Sequence, residues 1–237
     1  MAQALHKTLT LLRSSVRRYL DESTASFWTN AALTEYLNEA KDRVWAEVKA
    51  LKDDYFMVTR SSTDGSLTIL TDTYAASSFA IVAGTTTYTM PPDLSEMKLI
   101  EVITSGYESV RFFYRDLAHP DMRAAMEITT NTPPTGFYFD LIGERTMRIA
   151  PKSDTALDLR ISYTQIFADL SADADELTMP HPLYLAVIHY ATASAMLQEG
   201  NPNSAVHEAR ARQIIANVFG AHSRQTQDME IATGYME

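Results

Sequence analysis

The sequence predicts an α+β protein in which helices at both ends of the chain flank a β-rich insertion. Apolar residues recur every three or four positions from Leu33 to Leu51 and again from Leu183 to Phe219, which is the spacing of a buried helix face. Between these segments the apolar period falls to two, as in Ala156–Ile166, which indicates half-buried strands. No glycine or proline occurs before Gly65, so neither interrupts the N-terminal helices.

The N-terminal helix pair begins with a basic amphipathic segment from Leu5 to Leu20. The second helix follows Thr29 or Asn30, and either side chain suits the N-cap because its oxygen accepts a hydrogen bond from an unpaired N–H group of the first turn. Trp28, directly before this cap, is expected to pack on the new helix as a hydrophobic staple. Residues 1–54 are therefore assigned to a helical-bundle body.

Residues 55–176 form the predicted β-rich insertion, which we expect to be antiparallel. Asp64-Gly65 marks a turn, and Gly143-Glu144 joins two alternating segments into a hairpin. A short helix is expected at Asp116–Met126, whereas two prolines make Asn131–Pro134 a loop. The predicted strands are Tyr55–Thr59, Leu67–Leu70, Thr86–Met90, Lys98–Thr104, Val110–Tyr114, Phe137–Ile142, Thr146–Ile149 and Ala156–Ile166.

The C-terminal helix pair is predicted over residues 177–220 and completes the body. Gly200-Asn201-Pro202-Asn203 ends its first helix and starts its second. The two helix pairs are expected to pack on each other, with the strands between them forming a separate lobe. Beyond Gly220 the helical periodicity fades, so residues 221–237 are expected to form an extended tail.

Composition and charge exclude several classes of protein. The chain has no cysteine, so it forms no disulfide, thiolate metal site or cysteine nucleophile. Its 30 acidic and 20 basic residues give a formal charge of −10, which disfavours tight wrapping by nucleic acid. No apolar run approaches the ~20 residues that span a bilayer, and no signal segment opens the chain. We therefore expect a soluble protein made in the cytoplasm, without membrane contact.

Catalytic and metal-binding patterns with the required spacing are not found. The sequence has no phosphate-binding glycine loop, no GxSxG elbow and no HExxH pair. The acidic segment Asp169–Glu176 lacks the glycine and closing glutamate of a calcium loop, so a solvated linker is expected there. His181 and His189 lie two helical turns apart, too far to share a metal, whereas His207 on the next helix could approach one of them. We predict no cofactor, no metal and no enzymatic activity.

Two segments are candidate contact sites. Arg13, Arg17 and Arg18 precede the first acidic residue, Asp21, and make the first helix locally basic. This helix is either a solvated face or a docking surface for a neighbouring subunit or another acidic partner. The tail carries Arg224 and spaced apolar residues that cannot form a core alone, so it is either a frayed terminus or an anchor in a partner's grooves. Its apolar residues are Met229, Ile231, Tyr235 and Met236.

Several short motifs, taken in their order and spacing, resemble the head-to-tail connector (adaptor) proteins of tailed bacteriophages. They cover residues 5–220 and consist largely of helix caps and turn prolines. The motifs are Phe27-Trp28-Thr29-Asn30, Leu33, Tyr36-Leu37-Asn38-Glu39-Ala40, Tyr88-Thr89-Met90-Pro91-Pro92-Asp93-Leu94 before Leu99–Ile103, Met147-Arg148-Ile149-Ala150-Pro151, Leu157–Tyr163, and Leu177-Thr178-Met179-Pro180 before Tyr184-Leu185-Ala186.

The resemblance implies a virion protein at the head-tail junction, assembled in the host cytoplasm. It implies a homo-oligomeric ring, usually of twelve copies, between the portal protein and a tail or nozzle protein. The helices would form the ring body and the tail of the chain would reach the portal. Double-stranded DNA would pass through the ring, and an acidic wall would hold it off by like charge. Another virion part, such as a tail-completion protein, and a small soluble α+β enzyme remain alternatives.

Overall fold

The computed structural model of this 237-residue chain describes residues 7–22, 27–70, 72–117, 129–130, 136–143 and 145–233, with the backbone alone at residues 72, 129–130 and 221–233. The chain divides into two compact units. A helical unit combines Met1–Asp53 with Asp169–Glu237, and a β-rich unit comprises Asp54–Ala168. The α+β class with a central β-rich insertion is confirmed. The chain re-enters the helical unit at Asp169, earlier than residue 177, where the sequence analysis placed this boundary.

The helical unit begins with a short strand and two capped helices. Strand β1 (Lys7–Thr8) pairs antiparallel with the last strand, β13 (Glu176–Leu177). Helix α1 (Leu9–Tyr19) follows directly, and the Thr8 side chain caps it by accepting a hydrogen bond from the Leu11 N–H group. Helix α2 (Asn30–Leu51) is capped in the same way by Thr29, one of the two caps predicted for it.

The apolar stripe predicted for α2 forms its buried face. Five of its six residues are buried and only Leu51, at the end of the helix, is exposed. Lys41 is buried as well, which the apolar pattern did not predict. The buried stripe residues are Leu33, Leu37, Ala40, Val44 and Val48.

Helix α3 (Leu183–Gln198) is the central element of the helical unit. It packs against α1, α2 and the last helix, α4 (Ser204–Thr233), and is therefore buried on most sides. Its alanines, among them Ala186, Ala191 and Ala195, allow these close approaches. The expected packing of the N-terminal helix pair on the C-terminal pair is thus observed.

The end of α4 corrects the expected boundary between helix and tail. The helix was expected to end near Gly220, but its backbone continues to Thr233, so residues 221–233 are not extended. The loss of apolar periodicity beyond Gly220 did not mark the end of the helix, because a helix needs an apolar stripe only where it packs against another element. Residues 221–233 contain no glycine or proline and include the good helix formers Ala221, Arg224 and Met229. Residues 234–237 lie outside the described part of the chain.

One sheet of the β-rich unit has the order β5-β10-β9-β7. Its strands are β5 (Thr87–Thr89), β7 (Arg111–Tyr114), β9 (Gly136–Ile142) and β10 (Thr146–Ala150). The predicted hairpin of β9 and β10 is confirmed, with Thr146 opposite Ile142. Strand β7 pairs parallel with β9, whereas the other pairs of this sheet are antiparallel.

A second sheet places β12 (Leu159–Gln165) between β2 (Met57–Ser61) and β6 (Leu94–Val102), all antiparallel. Five shorter elements complete the described part of this unit. They are β3 (Ser66–Ile69), β4 (Asp72–Ala75), a 3₁₀ helix (Ala76–Phe79), β8 (Thr129–Thr130) and β11 (Lys152–Ser153). Strands β3 and β4 pair antiparallel, and β8 and β11 pair parallel.

The core of the β-rich unit is formed by residues from both main sheets and the 3₁₀ helix. Phe79, Phe137 and Tyr163 are its largest fully buried side chains. The short helix expected at Asp116–Met126 lies outside the described residues from position 118 onward, and so does the expected loop at Asn131–Pro134.

Candidate interaction surfaces

Two of the three arginines proposed for docking are buried inside the helical unit. Arg13 forms an ion pair with Asp173 over 2.6 Å and donates a hydrogen bond to the Thr34 hydroxyl over 3.0 Å. Arg17 forms an ion pair with Glu22 and donates to the Trp28 carbonyl oxygen, each over 2.6 Å. These contacts argue against a docking role for both side chains, because their charges are already paired within the chain.

Arg18 is the exposed member of this group. Its guanidinium lies 5.7 Å from the centre of the Tyr19 ring, at the surface of the helical unit. The sequence contained the signal that separates the three arginines. Arg13 and Arg17 follow Leu12 and Val16 on the buried stripe of α1, whereas Arg18 lies off that stripe. The docking hypothesis therefore remains a prediction that depends on Arg18.

The acidic segment Asp169–Glu176 is largely exposed, as expected of a solvated linker, but two of its acids also bind the helices. Asp169 forms an ion pair over 2.5 Å with Lys41, whose side chain is 2% exposed, and Asp173 binds Arg13. The Asp175 carboxylate accepts backbone N–H groups of Ser171 and Ala172, which lowers the pKa of that carboxyl. The acids of this segment thus hold its turn and fasten it to α1 and α2.

Two histidines from neighbouring helices face each other. The Nδ1 atoms of His189 on α3 and His207 on α4 are 3.0 Å apart, which confirms that His207 approaches one of the earlier histidines. The Tyr19 ring packs against both imidazoles. Burial, then the neighbouring His207 and Arg210, lowers the pKa of His189 to about 4, and burial also lowers the pKa of His207. Both rings are therefore neutral at pH 7, and one can donate to the other.

Further polar contacts join the three longest helices. The Tyr190 hydroxyl on α3 donates to the Glu47 carboxylate on α2, and burial followed by this carboxylate raises the pKa of Tyr190 to about 12. The Arg43 guanidinium lies 4.1 Å from the centre of the Tyr190 ring and also pairs with Glu208 on α4. These ionisable groups are engaged in packing the helices.

The tail residues proposed for anchoring have no described side chains. Arg224, Met229 and Ile231 belong to the backbone-only part of α4, and Tyr235 and Met236 lie outside the described residues. Their proposed role remains a prediction. The segment was expected to be extended, whereas Arg224, Met229 and Ile231 lie in a helix that continues to Thr233.

The described residues offer a scaffold with surfaces for contact. Among them, no group of three or more histidine, aspartate or glutamate side chains is placed to hold a metal ion. A helix long and apolar enough to cross a membrane is likewise absent from this part of the chain. The buried ionisable side chains described above bind other side chains or backbone groups of the same unit.

The comparison with protein families identifies the class. Residues 7–234 match the family model described as SU10 adaptor protein, so the match spans both units of the fold. The protein is thus a structural adaptor of a bacteriophage virion, a component that associates with other virion proteins. The chain belongs to the SU10 adaptor protein family, and the expected phage head-to-tail adaptor relationship is confirmed. No curated protein matches the sequence.

Proposed function

We propose that the protein forms a homo-oligomeric ring, most simply of twelve copies, between the portal and the tail or nozzle at the head-tail junction. The family match over residues 7–234 carries this proposal, because an adaptor must join two different neighbours and the match includes both units. Copies would join the virion in the host cytoplasm, where portal and tail components meet.

The charge of the chain supports a passage for the genome through this ring. A formal charge of −10 per copy gives a ring a strongly negative surface, which repels the phosphates of double-stranded DNA. DNA in such a channel would slide without binding the wall. The proximity of the ring to DNA would not depend on the base sequence, since repulsion between like charges does not distinguish one base from another.

We assign the portal contact to the end of α4 and the residues after it. The buried residues of α4, Ala211, Ile215 and Val218, all precede residue 222, so removal of 222–237 spares its described apolar packing. The removed segment contains Arg224, Met229, Ile231, Tyr235 and Met236. Burial of an apolar side chain in a partner's groove contributes about 1.5–3 kcal/mol, and a ring repeats that contribution in every subunit.

The test combines ring imaging with truncation. Purified full-length chain, alone and with purified portal, is examined by negative-stain electron microscopy and native mass spectrometry. We expect ring particles on the portal, and we expect the 222–237 deletion to fold normally while losing portal attachment. Full portal affinity of the truncated chain would move the contact to the ring body. Absence of any complex between the intact chain and portal or tail protein would refute the adaptor ring.

A further inference from the structure

We propose that the exposed edge of β7, together with the aromatic side chains beside it, is the surface by which one copy of the β-rich unit contacts a second copy of this chain. The inference deepens the proposed ring, on which it rests, by naming a contact between its subunits. It starts from aromatic exposure on two neighbouring strands, β7 and β9.

Large apolar side chains cluster at this edge. Phe113 and Tyr114 on β7 are 52% and 65% exposed, and Tyr138 and Ile142 on β9 are also exposed. The Phe113 and Tyr138 rings lie 6.2 Å apart, and the Tyr114 ring lies 5.7 Å from Phe139. Phe113 and Tyr138 share one face of the sheet, and Tyr114 lies on the other face beside Phe139. Exposed tyrosine and phenylalanine side chains are enriched in protein interfaces.

The Phe113 ring is held in place on the sheet. A Cβ atom on Gly136 would lie 2.7 Å from Phe113 Cε2 and 2.9 Å from the Arg111 carbonyl oxygen, so the ring covers a position where only glycine fits. A fixed aromatic ring loses little conformational entropy when a partner covers it. Phe113 is therefore a preorganised contact residue.

The backbone of β7 also offers hydrogen-bonding groups. The Arg115 N–H group donates to the Phe139 carbonyl oxygen over 2.9 Å, so in this parallel pair residues 111, 113 and 115 face β9. Phe112 and Tyr114 direct their N–H and C=O groups away from β9, and within the described residues no backbone group pairs with them. Strand β7 is short and begins with the charged Arg111, but it has no proline or bulge that would block pairing along this edge.

Charge favours a second copy as the occupant of this edge. Arg111 and Arg115 are exposed at the two ends of the edge. The nearby acids are already engaged: Glu108 accepts the Gly106 N–H group, the buried Asp140 accepts the Leu117 N–H group, and the exposed Asp116 beside Arg115 also has a partner. A second copy has ten more acidic than basic residues, so its surface complements a local pair of arginines.

The surface is also consistent with the geometry of a ring. Ring contacts are head-to-tail, so the edge of one copy meets a different surface of the next. A short exposed edge accepts an extended segment, with main-chain hydrogen bonds and alternate side-chain contacts. Phe113 and Tyr138 would then cover the alternate apolar side chains of that segment.

The test places the photocrosslinking amino acid p-benzoylphenylalanine at position 113 of the full-length chain. We expect irradiation of assembled particles to give a product of twice the 26.5-kDa subunit mass. The same amino acid at Val82, which is 54% exposed in the same unit, serves as the control and should not give that product. No homodimeric product at position 113, or a product only with portal or tail protein, would overturn the assignment to a second copy.

A substitution pair gives an independent readout. Phe113→Asp should weaken self-association in sedimentation experiments at least about tenfold, because it replaces an interface aromatic with a charge. Val82→Asp should leave self-association unchanged. Circular dichroism checks that both variants fold. If Phe113→Asp does not fold, the crosslinking experiment is the deciding test of the contact. Rings that form normally without Phe113 would refute the contact and leave the adaptor function intact, whereas failure to join portal and tail would refute the function itself.

Discussion

Tyr163, at the centre of the three-stranded sheet, donates its phenolic hydrogen to the Oδ1 atom of Asp93 over 2.6 Å. Arg60 completes the cluster by donating to the Tyr163 oxygen over 2.6 Å and to the Asp93 Oδ2 atom over 3.0 Å. Burial, then the hydrogen bond to the Asp93 carboxylate, raises the pKa of Tyr163. The cluster fixes the Pro91-Pro92-Asp93 turn to two strands that are distant in sequence.

Tyr163→Phe should lower the free energy of unfolding by about 1–3 kcal/mol, because it removes a donor from the buried Asp93 carboxylate. Urea unfolding measures the effect. Tyr114→Phe is the matched control, since Tyr114 is largely exposed, and it should change stability by less than about 0.5 kcal/mol. Equal effects of the two substitutions would show that the Tyr163 hydroxyl contributes little.

Arg17→Ala and Arg18→Ala should have different effects, although the residues are adjacent. Loss of Arg17 leaves the largely buried Glu22 without this cation and should cost about 3 kcal/mol or more. Loss of the exposed Arg18 should cost less than about 0.5 kcal/mol. Thermal and urea unfolding compare the two variants. If Arg18 docks a partner, Arg18→Glu should weaken assembly with unchanged stability, and similar losses of stability at both sites would contradict this division.

Stability should fall as the pH decreases from about 6.5 towards 4, because the histidine pair binds protons more weakly in the folded chain. The pKa of His189 is lowered to about 4 in the fold and returns to near 6.5 on unfolding, so between these values the unfolded chain binds more protons. The contribution is fully present above pH 6.5. Urea unfolding at pH 7.5 and 5.0 measures the difference between the two conditions.

The variant His189→Gln should show a smaller stability loss between pH 7.5 and 5.0 than the unmodified chain. His181→Gln is the control, because His181 packs on Tyr184 and takes no part in the pair. An unchanged pH dependence in His189→Gln would assign the acid sensitivity to other groups.

Excision experiments should locate the boundary at which the chain returns to the helical unit. Replacing residues 54–168 with a glycine-serine linker should leave a cooperatively unfolding helical protein. Replacing residues 54–176 also removes Asp169, Asp173 and Glu176, one of the two residues of β13, so this variant should be less stable by several kcal/mol. Circular dichroism and urea unfolding compare them. Equal stability would show that the acidic segment does not fasten the helices.

Local signals in the sequence predicted local structure well. Thr29 is the N-cap of α2, the α2 stripe is buried and β9 pairs with β10, because a cap, an apolar period and a short turn act within a few residues. The parallel pairing of β7 with β9 and the central position of β12 could not be predicted in this way. They depend on partners far along the chain, which residue periodicity does not identify.

For the candidate surfaces, the burial of charged residues was the main feature that the sequence did not predict. Arg13, Arg17 and Lys41 were indistinguishable by type from solvated residues, yet each is buried with a carboxylate partner. For Lys41 and Arg13 that carboxylate lies more than a hundred positions away in sequence, so its approach depends on the tertiary fold. The aromatic edge of β7 was missed for a related reason. The residues Phe112, Phe113 and Tyr114 are typical of a buried strand, and their exposure depends on the position of β7 in the sheet, which the local sequence does not give.

The packing of α2 against α3 has a consequence for synthesis of the chain on the ribosome. Helix α2 emerges first, but its main apolar partner follows only after the whole of residues 54–168 has been translated. At roughly 5–20 residues per second, the nascent α2 stripe therefore waits on the order of ten seconds for α3. During that interval the β-rich unit, which is continuous in sequence, can complete its own core. The order of synthesis thus lets the β-rich unit fold while the helical unit is still incomplete, and for that interval the apolar face of α2 is without its partner α3.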